Sequence, residues 1–299
     1  MKRLIILTGP TASGKSKVCD TLSAHKSCRI INCDSKQVYK GVPIITDQPQ
    51  KNCSDLRLYG YVSPTVNYSI KLWLDDATKE IHNAFSDGLS PILTGGTGMY
   101  INSILFGMSE LPEIDDEIRE ETRALLARVG NEKFYEMLVD LDPNAQKLHK
   151  NNTYRLVRAF ETVKQTGISI YTWREKTRPK GDAFYDYKIC VLLPERSELY
   201  RKIDKRFLEM MNSDAVSEVQ YLMSLGIPEN MPIMKAHGVP EIREYLAGTL
   251  SLADAISRAQ KNTRHYAKRQ ETWFRTQLPQ DRLFFRSHEE AVSYISSIL

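Results

Sequence analysis

The sequence predicts an α/β fold, a parallel sheet flanked by helices, with an all-helical subdomain inserted between two of its strands. Three observations carry this. An apolar run from Leu4 to Leu7 leads into Gly9-Pro10-Thr11-Ala12-Ser13-Gly14-Lys15-Ser16, and a helical run toward His25 follows. A second apolar strand, Pro91–Thr94, ends in another glycine-rich strand-to-helix corner, Gly95-Gly96-Thr97-Gly98-Met99-Tyr100. Between about Pro112 and Pro179 the composition turns to charged helical segments that no apolar strand interrupts. Strands alternating with helices make a parallel sheet, because each helix carries the chain back to start the next strand in the same direction. The expected boundaries are residues 1–112 with 180–299 for the sheet domain and 113–179 for the helical insertion.

The octet Gly9–Ser16 has the spacing and the strand-before, helix-after context of a P-loop, so the expected architecture is P-loop NTPase-like. Its backbone N–H groups and the helix behind them form a positive cradle for chained phosphates, of ATP or of another diphosphate. Lys15 reaches the outer phosphate, and the Ser16 hydroxyl is the candidate Mg²⁺ ligand. The next strand, Arg29–Cys33, runs into Asp34-Ser35-Lys36-Gln37-Val38-Tyr39. Groups just beyond the carboxyl ends of parallel strands line the ligand crevice, which puts Asp34 beside the bound phosphates. The competing reading of Asp34 is a turn residue bonding its own backbone. Thr94-Gly95 stands where a Walker-B strand would end in Asp, which weakens an ATPase reading.

A chain of 299 residues that is 41% hydrophobic can bury a full core. The net charge of +4 is a mild excess that identifies a nucleic-acid partner only if the basic residues cluster. Five cysteines, Cys19, Cys28, Cys33, Cys53 and Cys190, include no C-x-x-C pair, which argues for a reducing compartment and against a disulfide framework or zinc site. Residues 1–20 hold only a short apolar stretch, so neither signal peptide nor membrane span is expected, and the chain is expected to be a cytoplasmic monomer.

From Gly41 to Pro64 the chain reads as a lining loop with a short strand near Tyr59–Val62. Ile70, Trp73, Leu74, Ala77, Ile81, Ala84 and Phe85 then recur at helical spacing, with Trp73 expected in the core and Asp75-Asp76 on a solvated face. In the insertion, helices are expected over Asp115–Arg128, Glu132–Leu141 and Thr153–Thr166, with Arg155 and Arg158 on one face and Arg119 near the start. Strand Tyr187–Leu193 resumes the sheet. Helices Glu195–Met211 and Asp214–Leu225 follow, the first burying Leu199, Ile203, Phe207 and Met210. Ser251-x-x-Asp254 opens a long helix to about Gln277, and Ser287-x-x-Glu290 caps the last one after a short strand Leu283–Phe285. On the long helix Lys261, Arg264, His265, Lys268 and Arg275 recur at helical spacing, with Arg269 flanking and Tyr266, Trp273 and Phe274 interleaved. Such a stripe is the expected footprint of a phosphate backbone.

These residues carry a resemblance that runs nearly end to end. Gly9–Ser16, Asp34-Ser35-x-Gln37-Val38-Tyr39-Lys40, Gly95 to Tyr100, Asp142-Pro143 with Arg155 to Glu161, and Tyr266-Ala267-Lys268-Arg269-Gln270-x-Thr272-Trp273-Phe274-Arg275 together resemble the bacterial tRNA dimethylallyltransferase (tRNA isopentenyltransferase) family. The resemblance implies transfer of a dimethylallyl group from dimethylallyl diphosphate to N6 of the adenosine immediately 3′ of a tRNA anticodon. It implies that Thr11 to Ser16 hold the diphosphate and that Asp34, Ser35, Lys36, Gln37, Thr97 and Arg119 meet the tRNA. The helical insertion would grip the anticodon stem-loop, a role that fits Arg155 and Arg158. Two loops depart from the family pattern. Thr46-Asp47-Gln48-Pro49 stands where Thr-Ala-Lys-Pro is usual, and His237-Gly238-Val239-Pro240-Glu241 where Ile-Gly-Tyr-Lys-Glu is usual. Asp214 also occupies a place where a helix-ending glycine is common.

The chemistry accounts for the same residue types on its own terms. An exocyclic adenine amine is a poor nucleophile, so a base must take its proton as the new bond forms, and Asp34 is the candidate base. Negative charge building on a departing diphosphate calls for a preorganised cradle with Lys15 and Mg²⁺. The alternatives are a P-loop nucleoside or small-metabolite kinase, with Asp34 acting on a hydroxyl, and an RNA-binding module with a vestigial P-loop, which leaves the intact Lys15-Ser16 unexplained.

Overall fold

The computed structural model describes residues 2–25, 27–49, 55–177 and 185–299, so Cys53 and the expected domain junction at 179–180 lie outside the described residues. Six strands, β1 (Lys2–Thr8), β2 (Cys28–Asn32), β3 (Leu56–Arg57), β4 (Ser90–Gly95), β5 (Tyr185–Leu192) and β6 (Leu283–Phe285), form one sheet in the order β3-β2-β4-β1-β5-β6. Every pairing is parallel. Helices cover both faces, which is why β1 reads as a continuous apolar run: Leu4, Ile5, Ile6 and Leu7 are each at most 1% exposed.

Alternate residues of these strands serve opposite cores. Leu4, Ile6, Ile31, Leu93 and Val191 pack with Trp73, Ala77 and Ile81 of α2 (Ile70–Ser86). Ile5, Leu7, Ile30, Ile92 and Leu192 pack on the other side with Val18 and Leu22 of α1 (Lys15–His25) and with Ala291 and Ile295 of the last helix, His288–Ile298. Cys19, Cys28, Cys33 and Cys190 are buried in these two layers.

The chain forms two compact units, Met1–Leu105 with Ala183–Leu299, and Phe106–Asp182. In the first, α3 (Gly98–Phe106) follows β4. The second holds α4 (Asp116–Leu141), a 3₁₀ turn at Pro143–Lys147, α5 (Thr153–Thr166) and α6 (Ile170–Lys176). It has its own core of Phe134, Leu138, Leu156, Phe160 and Ile170, in which the Phe134 and Phe160 rings lie 4.9 Å apart. Gly130, at φ 74°, breaks α4 into the two segments the sequence suggests. Back in the first unit, β5 leads to α7 (Arg196–Met211), α8 (Ala215–Ser224), α9 (Val239–Leu246) and α10 (Leu252–Thr276), and β6 then precedes α11 (His288–Ile298). Ser251 and Ser287 cap their helices as expected, accepting from the Asp254 and Glu290 N–H groups at 3.1 and 3.2 Å. Among the described residues no helix is long and apolar enough to cross a membrane.

Two local expectations change. The short strand lies at Leu56–Arg57 rather than Tyr59–Val62, because Leu58 and Gly60 adopt φ of 63° and 52° and end the ladder. Val62 keeps a single parallel bridge to Tyr39. Asp75 is exposed, but Asp76 is not on a solvated face: its carboxylate accepts from the Tyr61 and Tyr68 hydroxyls at 2.9 and 2.5 Å. Asp214 sits at the head of α8 with φ −85°, where its carbonyl accepts from the Glu218 N–H at 2.9 Å, so that position requires no glycine.

Candidate active site

Sheet register assembles the site. Thr8 of β1 pairs with Gly95 of β4, and Asn32 of β2 with Thr94, so three strands end at one level. The Cys33 N–H donates to the Thr94 carbonyl at 2.7 Å, and the Thr97 N–H returns to the Cys33 carbonyl at 3.2 Å. A Cβ at Gly95 would lie 2.2 Å from the Cys33 carbonyl, so only glycine lets these chains approach. The loops beginning at Gly9, Asp34 and Gly96 are therefore neighbours.

In the first loop Ala12 and Gly14 take positive φ, 62° and 99°, and α1 starts at Lys15 with first-turn N–H groups that no helical carbonyl can satisfy. Gln270 of α10, 5% exposed, fixes this loop to the other glycine-rich corner: its Oε1 accepts from the Thr11 N–H and its Nε2 donates to the Gly96 carbonyl, both at 2.9 Å. Gln270→Leu leaves the Thr11 N–H and the Gly96 carbonyl without their partner, so unfolding experiments should show a loss of about 1–3 kcal/mol. The Lys15 Nζ donates to the Gly9 and Pro10 carbonyls at 2.9 and 2.8 Å. Burial lowers its pKa to about 8, against the opposing pull of Asp34.

The loop opens on a cavity of about 620 Å³. Asp34, Lys36 and Gln37 form one wall, Lys202, Arg206 and Phe207 of α7 a second, and Lys235, His237, Tyr266 and Arg269 a third. Asp34 is held by its predecessor. The Asn32 side chain accepts from the Asp34 N–H at 2.9 Å and donates to the Asp34 and Leu58 carbonyls at 3.0 and 2.9 Å, while the Trp73 indole donates to the Asn32 carbonyl at 3.0 Å. The Asp34 Oδ1 accepts from the Lys36 N–H at 2.9 Å. The turn reading of Asp34 holds for Oδ1, while Oδ2 has no partner among the described residues.

Lys36 donates to the Pro232 carbonyl at 2.6 Å, and its buried ammonium has a lowered pKa. Gln37 donates to the Asp47 and Thr46 carbonyls at 2.5 and 3.2 Å. Arg206 donates to the Thr11 hydroxyl at 2.6 Å and pairs with Asp47. The His237 ring lies 4.5 Å from Tyr266, which Arg269 covers from 5.6 Å. Burial first, and then the Arg269 charge, push the His237 pKa down to about 4, so the imidazole is neutral near pH 7. Ser16 lines the cavity beside Lys15. Among the described residues no group of three or more His, Cys, Asp or Glu could hold a metal ion. One hydroxyl fits Mg²⁺, which keeps its waters and binds chiefly through phosphate oxygens.

The structure thus brings Thr11, Ala12, Gly14, Lys15, Ser16, Asp34, Lys36 and Gln37 to one cavity. Ser35 and Thr97 engage each other instead, the Ser35 N–H donating to the Thr97 hydroxyl at 3.0 Å. In the second unit Arg119 pairs with Asp116 at 3.1 Å, and Arg155 is exposed. Arg158 does not share that exposure. It donates to the Pro112 carbonyl at 3.2 Å and lies 3.7 Å from Glu161, an internal brace for α5. The basic stripe of α10 divides likewise. Arg264 turns to Asp204 of α7, and Arg275 pairs with Glu271 at 3.1 Å and covers Phe284, because those partners stand within one side-chain length. Lys261 and Lys268 are exposed, with no ion pair among the described residues.

Sequence reasoning does not single out Arg206, Gln270 or His237 as site residues, while Lys235, a candidate to replace a charge lost from the departing loops, lines the cavity. Arg206 left one signal: it lies three residues after Ile203, so it flanks the buried stripe of α7 and is carried to the margin of the core. The two departing loops also have structural roles, with Asp47 on Arg206, Gln48 donating to the Tyr39 carbonyl at 2.8 Å, and His237 on Tyr266.

A parallel sheet whose central strand runs into a glycine-rich loop and helix, faced by a carboxylate at the next strand end, defines a P-loop-like α/β protein. Residues 37–277 match the family model described as IPP transferase. The tRNA dimethylallyltransferase of Anaplasma phagocytophilum (strain HZ) is 54% identical over 294 residues, covering 98% of this chain and 94% of that protein. That of Ehrlichia chaffeensis (strain ATCC CRL-10679 / Arkansas) is 48% identical, covering 99% and 98%. The crystal structure of the full-length tRNA isopentenylpyrophosphate transferase from Bacillus halodurans superimposes with a TM-score of 0.71 at 29% identity, covering all of this chain and 95% of that one. The chain belongs to the IPP transferase family.

Proposed function

We propose that this protein transfers a dimethylallyl group from dimethylallyl diphosphate to N6 of the adenosine immediately 3′ of the anticodon of tRNA, releasing diphosphate. The observation that carries the reading is that Asp34, whose Oδ2 has no partner among the described residues, lines the same cavity as the Gly9–Ser16 loop. The Asp34 carboxylate, on a backbone clamped by Asn32, takes the proton of the amine as the amine's lone pair forms the bond to the allylic carbon. The bond from that carbon to the diphosphate oxygen breaks at the same time. The growing charge on diphosphate falls among the N–H groups at the head of α1, Lys15 and Arg206. Mg²⁺ on Ser16 and the phosphate oxygens would supply further charge neutralisation. The curated relatives named above are tRNA dimethylallyltransferases, which favours this over a kinase.

The target base must leave its stack to reach a cavity, a cost of a few kcal/mol that a loop nucleotide lessens. Cationic surface offsets it. Lys261 and Lys268 of α10, and Arg155 beside Tyr154 (81% exposed) in the helical unit, are the side chains we assign to the RNA, with the anticodon stem-loop as the part gripped. A tRNA substrate places the reaction in the cytoplasm, and one chain carries every group named, so a monomer suffices. Lys261→Ala and Lys268→Ala should each reduce the salt slope of tRNA affinity by roughly 0.7–0.9 with little change in melting temperature. Arg264→Ala, which breaks the pair with Asp204, should lower melting and leave the slope alone. Measuring slope and melting on the three variants checks the assignment. Incubation with bulk tRNA and either labelled prenyl diphosphate or labelled ATP tests the function: label should reach RNA from the prenyl donor only, and phosphorylation of a small acceptor by ATP would return the kinase reading.

A further inference from the structure

We infer that Asp47 is a positioning residue that weakens and thereby sets the affinity of the site for diphosphate, as the resident counter-ion of Arg206 that an incoming diphosphate displaces. The inference rests on the phosphate reading of the Gly9–Ser16 loop.

The guanidinium of Arg206 is split between two partners. One nitrogen pairs with the Asp47 carboxylate, and another donates to the Thr11 hydroxyl, within the loop itself, at 2.6 Å. Arg206 is thus already aimed at the place where phosphates bind, with its charge satisfied in advance. The carboxylate is fixed there by its backbone. Asp47 takes φ 56°, its N–H donates to the Ile44 carbonyl at 3.0 Å, and its own carbonyl accepts from Gln37 at 2.5 Å. The pair also belongs to a second cavity of about 930 Å³, so Asp47 and Arg206 line both spaces.

Exposure decides which partner yields. The Asp47 side chain is 46% exposed and that of Arg206 23%, so water can take over the carboxylate when a diphosphate claims the guanidinium. Arg is suited to that exchange, because its fork binds carboxylate and phosphate with the same bidentate geometry. A carboxylate that stays this close to a multiply charged anion repels it, and the repulsion acts on substrate diphosphate and on released diphosphate alike. The design consequence is a cradle that holds its diphosphate less tightly than its cations alone would, which favours release.

Titration calorimetry of inorganic diphosphate with Mg²⁺ into the full chain tests this, using wild type, Asp47→Asn and Asp47→Ala. Asn keeps a hydrogen-bonding side chain and tolerates the left-handed backbone, so it removes the charge with little else. Asp47→Asn should bind diphosphate about tenfold more tightly, and Asp47→Ala should shift in the same direction. A merely structural role would weaken binding, so the sign separates the two. Unchanged or weaker binding in Asp47→Asn, with wild type binding normally, overturns the inference and leaves the phosphate reading intact. No binding by wild type overturns both.

Discussion

Asp34→Asn is expected to slow single-turnover prenyl transfer by about 10²–10⁴ while tRNA affinity stays within a few-fold, the usual contribution of a positioned base. Asn is the informative replacement. Its side-chain oxygen can still accept the Lys36 N–H that Oδ1 accepts now, and the Asn32 clamp on the loop is untouched, so the turn survives while the proton acceptor is lost. Asp34→Ala should lose the same rate and some loop order besides. Quenched-flow transfer under saturating enzyme, with tRNA binding measured separately, resolves the chemical step. Near-normal transfer by Asp34→Asn would remove Asp34 from the proton transfer.

Lys15→Ala is expected to lower kcat/KM for the prenyl donor by about 10²–10³ and to spare tRNA affinity. The ammonium rests on the Gly9 and Pro10 carbonyls, with its pKa lowered to about 8 by burial. A bound diphosphate stabilises the charged form and raises that pKa. Below pH 8 the lysine is already protonated and binding is independent of its titration. As pH rises above 8 binding must take up a proton, so diphosphate affinity should fall between about pH 8 and the higher pKa of the complex. Calorimetry across that range in buffers of different ionisation enthalpy should show the uptake in wild type and none in Lys15→Ala.

The parts of this site that were legible in sequence are those fixed by local backbone chemistry. Glycines at strand ends, a Lys-Ser pair opening a helix and an Asp one residue past a strand announce themselves, because strand register and helix start carry them to the same level whatever the side chains do later. Arg206 and Gln270 come from helices far along the chain, and their facing is set by tertiary packing. Nothing local distinguishes a cavity-lining charge from a solvated or paired one. Arg264 and Lys268 stand one turn apart on α10, yet one is paired with Asp204 and the other is exposed. Asp76 shows the same limit, since the tyrosines that bind it arrive from the preceding loop.

In the function proposed above, one cavity joins a diphosphate cradle to the base that acts on adenosine. The most direct measurement is nucleoside analysis of unmodified tRNA after a single turnover with dimethylallyl diphosphate, alongside diphosphate release. One N6-dimethylallyladenosine, 3′ of the anticodon, is expected for each diphosphate released, with both products lost together in Asp34→Asn. Diphosphate released without modified adenosine, or modification that persists in full in Asp34→Asn, would contradict it.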